Sequence, residues 1–233
     1  MTDARAKILG KVRQSLGQTD HSAAQARLSG RPRGIVPART DCGPSAVIDL
    51  FVTQAESVDA TVDRVAAAAE VPDAVAAYLA QRNLPSVLRL APDSQLDDIP
   101  WNQRPTLSVT RGKTDGSHDV SVTGAFAGIA ETGTLMLRSG PDSPSTLNFL
   151  PDTHMVVLRA SQIRKSYEDG WDDIRRQMES QSNSLPRTVN FITGPSRTGD
   201  IEQKILMGAH GPRRLHIVLI EDEVSKGEPD NGV

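Results

Sequence analysis

The chain has 233 residues, a length that suits one sizeable domain with peripheral additions, since typical domains have about 100–200 residues. Hydrophobic residues make up 37% and aromatic residues only 3%, so a core must be built from Ala, Val, Ile and Leu. The formal net charge of −3, with scattered Lys and Arg, excludes the basic face of a nucleic-acid-binding protein. Cys42 is the only cysteine, which excludes an internal disulfide, a cysteine-rich zinc site and a four-thiolate iron–sulfur cluster held by this chain alone.

The N-terminal sequence lacks the pattern of a signal peptide. The segment from Met1 to Ile8 is charged and has no apolar core, and no run approaches the roughly 18 apolar residues of a membrane span. We therefore expect a soluble, cytoplasmic protein without a membrane span.

The N-terminal part differs in composition from the rest of the chain. Residues 4–16 place apolar side chains at helical spacing and predict a short amphipathic helix, an arm that offers a route to a homo-oligomer. Residues 17–44 mix Gln, Ser, Gly, Pro and Arg without a period and predict an extended linker. The expected organisation is a helical arm and linker over 1–44, an α/β domain over 45–223 and a polar tail over 224–233.

From Ser45 onward the pattern alternates between helices and strands. Helices are predicted from Ser45, at 72–83, at about 161–180 and at 199–208. Alternating segments at 107–110 and 120–123 predict half-exposed strands, and short strands are predicted around Val62 and at 86–90. Continuous apolar runs at 135–138, 155–158 and 215–220 are typical of central strands covered on both faces. The predicted fold class is α/β: a layered, mostly parallel sheet with helices on both faces.

A carboxylate stands at the entrance to one of these apolar runs. Glu131, Thr132, Gly133 and Thr134 directly precede the strand that begins at Leu135. Burial beside that run raises the pKa of a carboxyl group, whereas Thr hydroxyls and glycine N–H groups hold it ionised. The alternative interpretation is a solvated turn residue before a strand.

A second segment of small and polar residues runs from Gly194 to Glu202 and follows the apolar strand predicted at 189–193. If this segment opens a helix, free N–H groups and the positive end of the helix dipole favour an anion there. The alternative is that Thr198 or Asp200 caps the helix, although a cap has no use for the Arg197 guanidinium.

Three histidines are also considered as catalytic, ligand-binding or metal-binding residues. His210 precedes the Gly211-Pro212 turn and either acts as a general acid or base or stabilises the end of the preceding helix. His154 begins a predicted strand after the loop that starts at Asn148, so its approach to a site is uncertain. The spacing of Asp200, Glu202, His210 and His216 matches no recognised metal-ligand set, and we predict no metal site.

The chain resembles the LUD domain, the family of lactate-utilisation protein C. Four segments carry the resemblance: Ala127–Thr134, Leu150-Pro151 with His154, Gly194–Glu202, and Gly208–Pro212. The resemblance implies a NagB/RpiA/CoA-transferase-like fold and a role in oxidising L-lactate to pyruvate with two partner proteins that carry the iron–sulfur ligands. Longer family members add a cysteine-rich ferredoxin-like region, so this chain is similar to the short, cluster-free form.

Two functions stay open at this point. In the first, the chain is a component of a lactate-oxidising complex that binds a small anionic ligand or a partner surface and holds no cofactor alone. In the second, it is a stand-alone enzyme, similar to CoA-transferases or sugar-phosphate isomerases, that uses Glu131 as a base or nucleophile. We expect the catalytic candidate Glu131 and eight ligand-binding candidates to converge on one pocket at the carboxyl edge of the sheet; these candidates are Thr132, Gly133, Thr134, Ser196, Arg197, Thr198, Asp200 and His210.

Overall fold

The computed structural model describes residues 2–16, 22–30, 33–180, 185–201, 204–208 and 210–221. These fall into two compact units, residues 1–35 and residues 36–233. The polar tail predicted over 224–233 and Glu202 lie outside the described residues. None of the described helices is long and apolar enough to cross a membrane.

The N-terminal unit consists of two helices, α1 (Thr2–Leu16) and α2 (Ser22–Gly30). Helix α1 confirms the predicted amphipathic helix, and its apolar residues Ile8, Val12 and Leu16 are exposed. The prediction of an extended linker over 17–44 is wrong where α2 forms. The segment Ser22–Ala26 contains helix-forming Ala and Gln, and the Pro and Gly that suggested a linker lie mainly after it.

The centre of the second unit is a parallel six-stranded sheet. Its strands, in chain order, are β1 (Thr61–Val65), β2 (Val87–Leu90), β3 (Ser108–Arg111), β4 (Val120–Gly124), β7 (Thr153–Arg159) and β12 (Arg214–Ile220). Their spatial order is β1-β12-β7-β4-β2-β3, and every pairing is parallel. Every residue of β4 is buried, so the expected half-exposed strand there is wrong: both faces of this part of the sheet are covered, and its Ser and Thr lie inside.

A smaller sheet packs over one face of the parallel sheet. Its strands are β5 (Ala127–Ile129), β6 (Thr134–Arg138), β8 (Ile163–Arg164) and β9 (Val189–Ile192), in the order β8-β5-β6-β9. The apolar run at 135–138 therefore forms β6, which pairs antiparallel with β5 and β9, and its assignment to the parallel sheet is wrong. An apolar run shows that a strand is buried on both faces, but it does not reveal the strand's partners.

The described residues of 197–207 form two antiparallel strands rather than the predicted helix at 199–208. Strands β10 (Arg197–Ile201) and β11 (Lys204–Met207) pair antiparallel and make a separate two-stranded sheet. The apolar spacing of this short segment fits either structure, so periodicity alone cannot decide between them.

Four α-helices complete the described part of this unit, and they are α3 (Pro44–Ser57), α4 (Val71–Gln81), α5 (Thr146–Phe149) and α6 (Tyr167–Ser180). Helix α4 begins next to Pro72, as predicted, and packs on one face of the parallel sheet. Helix α3 and the inner face of the smaller sheet cover the other face, and α6 packs on the outer face of the smaller sheet. The helix predicted at 161–180 begins only at Tyr167, because residues 163–164 pair as β8. These layers confirm the α/β fold class.

Candidate functional site

The turn between β5 and β6 carries Glu131, and it is fixed by contacts on several sides. Glu131 is only 8% exposed, its N–H donates to the Lys165 carbonyl at 3.1 Å, and its own carbonyl accepts from the Arg39 guanidinium at 2.6 Å. The carboxylate Oε1 lies 3.5 Å from the backbone N of Tyr167, at the start of α6. A carboxylate in that position stabilises the positive end of the helix, so the surroundings of Glu131 give it a structural role.

Four hydroxyl groups beside Glu131 bond to one another. Thr134 Oγ1 lies 2.7 Å from Thr132 Oγ1, 2.9 Å from the Tyr167 hydroxyl and 2.7 Å from Thr193 Oγ1. Thr132 Oγ1 is also 2.9 Å from the Tyr167 hydroxyl. Thr134 is completely buried, and its hydrogen-bonding capacity is met within this cluster. The cluster joins the β5–β6 turn to the loop that follows β9.

Two glycines hold these loops against the end of α3. Gly133 has a φ of 64°, and a Cβ there would lie 2.1 Å from the backbone N of Ala55. Gly194 has a φ of 72°, and a Cβ there would lie 2.2 Å from the carbonyl oxygen of Val58. The positive φ and the lack of space both require glycine. Because α3 leads into β1, both loops lie near the amino ends of the parallel strands, and the prediction of a site at the carboxyl edge is wrong.

The segment after Gly194 does not provide the predicted helix terminus. Arg197 begins β10, and its guanidinium pairs with Asp59 at 2.8 Å and donates to the Val58 carbonyl at 3.1 Å. Thr198 is buried in the same strand, and Asp200 lies further along it. With no helix there, both the predicted capping of a helix by Thr198 or Asp200 and the helix-dipole anion site lose their basis. His210 likewise follows a hairpin and not a helix.

A cavity of about 240 Å³ opens next to this loop, at the amino ends of β7 and β12. Its walls come from α5, the end of β9 with the following loop, and the turn before β12. The lining residues are Asn148, Phe149, His154, Phe191, Ile192, Thr193, Gly194, Pro195, Ser196, His210, Gly211, Pro212 and Leu215. Apolar rings and aliphatic groups thus surround a few polar side chains, as in many small-molecule sites.

Two buried polar side chains in this wall have unpartnered atoms. Among the described residues, Asn148 Nδ2, Asn148 Oδ1 and His154 Nδ1 are buried and make no hydrogen bond. The other ring nitrogen of His154 lies 2.8 Å from Thr123 Oγ1. Burial lowers the pKa of His154 to about 3, so its imidazole is neutral at physiological pH. Orphaned polar atoms in a core carry a free-energy cost.

Ser196 is fixed at the mouth of the cavity. Its N–H donates to the Pro212 carbonyl and its carbonyl accepts from the Gly208 N–H, both at 2.8 Å. Its hydroxyl oxygen accepts from the His210 N–H at 3.2 Å, so the hydroxyl hydrogen is available to a ligand. The His210 side chain is exposed and also lines the cavity.

The predicted site residues therefore divide into separate groups. Ser196 and His210 line the cavity together, whereas Glu131, Thr132, Gly133 and Thr134 form the neighbouring turn and Arg197 pairs on the surface. The sequence analysis names Asn148 only as the start of a loop, and it selects neither Asn148 nor His154 as a site residue. The signal available for both was their position on either side of the Leu150-Pro151 segment, which together with His154 carries part of the family resemblance.

A larger cavity of about 430 Å³ lies elsewhere, between α6 and the loop after β6. Its principal charged groups already have partners: Arg138 bonds to Gln177 and lies over the Phe126 ring, and the Asp93 carboxylate accepts from the Gln95 amide. None of its described lining residues has an orphaned buried atom. The smaller cavity is the better candidate site, because residues from three of the four segments that carry the family resemblance line it.

The remaining buried histidine belongs to the core. His216 is fully buried in β12, stacks on Tyr78 with ring centroids 3.9 Å apart, and bonds through Nδ1 to Thr61 Oγ1 at 2.9 Å. Burial, assisted by the charge of Arg82, lowers its pKa to about 4. Within the described part of the chain, no three His, Cys, Asp or Glu side chains group closely enough to hold a metal ion.

Comparison with known proteins identifies relatives of this chain. An uncharacterized protein of Neisseria meningitidis is 37% identical over 111 residues, which is 47% of this chain and 46% of that protein. Proteins named lactate utilization protein C are 34% identical in a Geobacillus species and 33% identical in Bacillus subtilis, each over 104 residues that cover 45% of this chain and 43% of the relative. The matches therefore span about half the length of these relatives.

The fold also matches a solved structure. A DUF162 family protein from Deinococcus radiodurans superimposes with a TM-score of 0.58 at 24% identity, covering 77% of this chain and 99% of that protein. The family model described as the LUD domain matches residues 48–220, which include all three described sheets and every residue that lines the candidate cavity. This match shows that the chain belongs to the LUD domain family.

Proposed function

We propose that this protein is a component of a system that oxidises L-lactate to pyruvate, acting with iron–sulfur partner proteins. The names of the relatives in Geobacillus and Bacillus subtilis support lactate utilisation as its role. A small anionic ligand binds in the cavity beside the Ser196 loop, and the adjoining turn with Glu131 supports that loop through the hydroxyl cluster.

One observation carries this proposal. Residues from three segments of the family resemblance, distant in sequence, line a single cavity: His154 at the start of β7, the Gly194–Ser196 loop, and the turn from His210 to Pro212. The fourth, with Glu131, is joined to the cavity by the bond between Thr134 and Thr193. Residues drawn together in this way from separate elements are arranged for a ligand rather than for one local turn.

The proposed function includes partner proteins because the oxidation of lactate needs an electron acceptor. A four-thiolate cluster requires four cysteines, and this chain has Cys42 alone. We therefore assign electron transfer to clusters on the partners and ligand binding to this chain.

Reconstitution tests the proposal. The full chain and candidate iron–sulfur partner proteins from the same organism are purified, and reduction of an artificial electron acceptor by L-lactate is followed with each component omitted in turn. We expect oxidation only in the complete mixture. Undiminished oxidation without this chain would contradict the proposal.

A Glu131→Gln variant separates this function from that of a stand-alone enzyme. If Glu131 acts structurally at the start of α6, the reconstituted mixture keeps most of its rate with the variant, since Gln retains a carbonyl acceptor for the Tyr167 N–H. Turnover of an acyl-CoA or a sugar phosphate by the chain alone, abolished in Glu131→Gln, would instead support the enzyme interpretation.

A further inference from the structure

We propose that the larger cavity, between α6 and the loop after β6, binds a small apolar α-amino acid, whose carboxylate contacts Arg138 and whose ammonium group contacts Asp93. This site goes beyond the proposed function and does not depend on it. The larger cavity shares no lining residue with the cavity beside the Ser196 loop.

The larger cavity lies beside the carboxyl ends of two neighbouring parallel strands. Asp93 and Gln95 line it and follow β2, and a Cβ on Gly124, the last residue of β4, would lie 2.9 Å from Asp93 Oδ2. From β2 the chain continues to β3 on one side of the sheet, whereas from β4 it continues towards β7 and β12 on the other side. Adjacent strands whose connections leave in opposite directions form a crevice at their carboxyl ends, and open α/β sheets bind ligands in such crevices.

Arg138 gives the cavity a positive charge that no carboxylate of the described residues neutralises. Its guanidinium lies over the Phe126 ring, 5.2 Å from the centroid, and donates from Nη1 to the side-chain oxygen of Gln177. Both partners are uncharged, and together they fix the plane of the guanidinium. Because a guanidinium has five N–H donors, those on Nε and Nη2 stay available to a carboxylate, which this group binds through two parallel hydrogen bonds.

Asp93 brings the opposite charge to the same cavity. Its two carboxylate oxygens accept from the backbone N–H and the side-chain amide of Gln95, at 3.0 and 3.3 Å. These bonds fix the carboxylate, and each oxygen keeps a second lone pair for a ligand donor. Among the described residues, Asp93 forms no ion pair with Arg138 or with any other cation. The cavity therefore holds two fixed, opposite charges that do not pair with each other.

These charges select the class of ligand. A simple anion such as phosphate is attracted by Arg138 but repelled by Asp93 and by Asp142, which also lines the cavity. A simple cation is repelled by Arg138. An α-amino acid carries a carboxylate and an ammonium group on one carbon, so it can pair with both Arg138 and Asp93.

The rest of the wall favours an apolar side chain of moderate size on this amino acid. Ile174 and Met178 line the cavity from α6, and Pro141, Leu185 and Pro186 line it from the neighbouring loops. A volume of about 430 Å³ lies in the usual range for small-molecule sites. Leucine and methionine have side chains that suit such a wall, because both are apolar and uncharged.

Calorimetric titration of the full wild-type chain with L-leucine and L-methionine tests the inference. Three analogues of leucine each lack one part: 4-methylpentanoate lacks the ammonium group, 3-methylbutylamine lacks the carboxylate, and glycine lacks the side chain. We expect the two amino acids to bind. Each analogue, and inorganic phosphate as a plain anion, should bind at least about tenfold more weakly, because each forgoes a charge-assisted hydrogen bond or the apolar contact.

Two substitutions remove the charges of the site one at a time. Arg138→Gln removes the guanidinium, and Asp93→Asn keeps an oxygen that accepts from the Gln95 N–H. The matched controls are Arg176→Gln on α6 and Asp97→Asn in the segment after β2, because neither residue lines the cavity. The first two variants should each weaken leucine binding at least about tenfold, whereas the two controls should match the wild type.

Several results would overturn the inference. One is that neither leucine nor methionine binds. Another is that an analogue or phosphate binds as tightly as leucine, because one of the three contacts would then be absent. Unchanged leucine affinity in Arg138→Gln or in Asp93→Asn would also overturn it, since the amino acid would then bind elsewhere. The requirement for this chain in lactate oxidation is measured separately, so the proposed function and this inference can each fail alone.

Discussion

The β5–β6 turn and the neighbouring cavity are joined by the hydrogen bond between Thr134 and Thr193, but they differ in whether their buried polar groups have hydrogen-bond partners. In the turn, the hydroxyl groups of Thr132, Thr134 and Tyr167 all have partners. In the cavity wall, Asn148 and His154 keep buried atoms without partners. The difference teaches that the more conspicuous sequence motif supplies the framework, whereas the buried atoms without partners lie in α5 and at the start of β7, in the wall of the cavity.

The largest expected effect is the loss of stability caused by a substitution in the β5–β6 turn. Gly133→Ala places a Cβ 2.1 Å from the backbone of Ala55 at a φ of 64°, so it should lower the free energy of unfolding by about 4 kcal/mol. Urea denaturation of the variant measures this loss. Gly140→Ala is the control, because a Cβ at Gly140 meets nothing within 4 Å and the change should stay within about 1 kcal/mol. Equal stability of the two variants would contradict a tightly packed turn.

A smaller effect is expected in the pH dependence of stability, which tests whether His154 is neutral in the folded protein. Folded His154 has a pKa of about 3, whereas an unfolded histidine takes up a proton as the pH falls through about 6.5. The contribution of neutral His154 to the free energy of unfolding is therefore fully present above pH 6.5 and is lost as the pH falls from there towards 3. Between pH 7 and pH 5 this loss is about 2 kcal/mol. His216, with a pKa of about 4, adds a similar loss.

Urea denaturation at both pH values checks this sign. His154→Gln and His216→Gln should each reduce the acid-induced loss of stability by about 2 kcal/mol relative to the wild type. A loss that is the same in the wild type and both variants would show that other groups cause it.

The smallest effect sharpens the contrast between partnered and unpartnered groups. Thr134→Val preserves shape but removes the hydroxyl that bonds to Thr132, Tyr167 and Thr193, so unfolding should become easier by about 1 kcal/mol. Thermal denaturation beside the exposed-helix control Thr53→Val measures the change. Because Asn148 has no such partners, its replacement by Leu should move the Tm in the opposite direction. Two shifts in the same direction would remove the distinction between the regions.

Much of the fold could be predicted from local patterns. The apolar runs that became β7 and β12 are long enough to identify buried parallel strands, and Pro72 marks the start of α4. The pairing of β6 with β9 could not be predicted, because it depends on residues more than fifty positions apart. The sequence predicts a helix where β10 and β11 pair, since a short apolar spacing is compatible with both structures.

The candidate site was less predictable than the fold. Ser196 and His210 could be selected because glycine and proline around them mark loops. Asn148 and His154 could not be ranked, because whether a buried polar atom has a partner depends on every element that packs against it. Glu131 is a candidate because of its residue type. Its contact with the start of α6 cannot be predicted from the sequence, because the two segments meet only in the folded chain.

The contacts of Gly133 and Gly194 with the end of α3 have a consequence for recognising distant relatives. Each position excludes a side chain both by its backbone angle and by the closeness of α3. A remote sequence that builds the same two loops on the same helix must therefore carry glycine at both places. This pair of positions, about sixty residues apart, can serve as a filter in alignments too weak for overall identity to be informative.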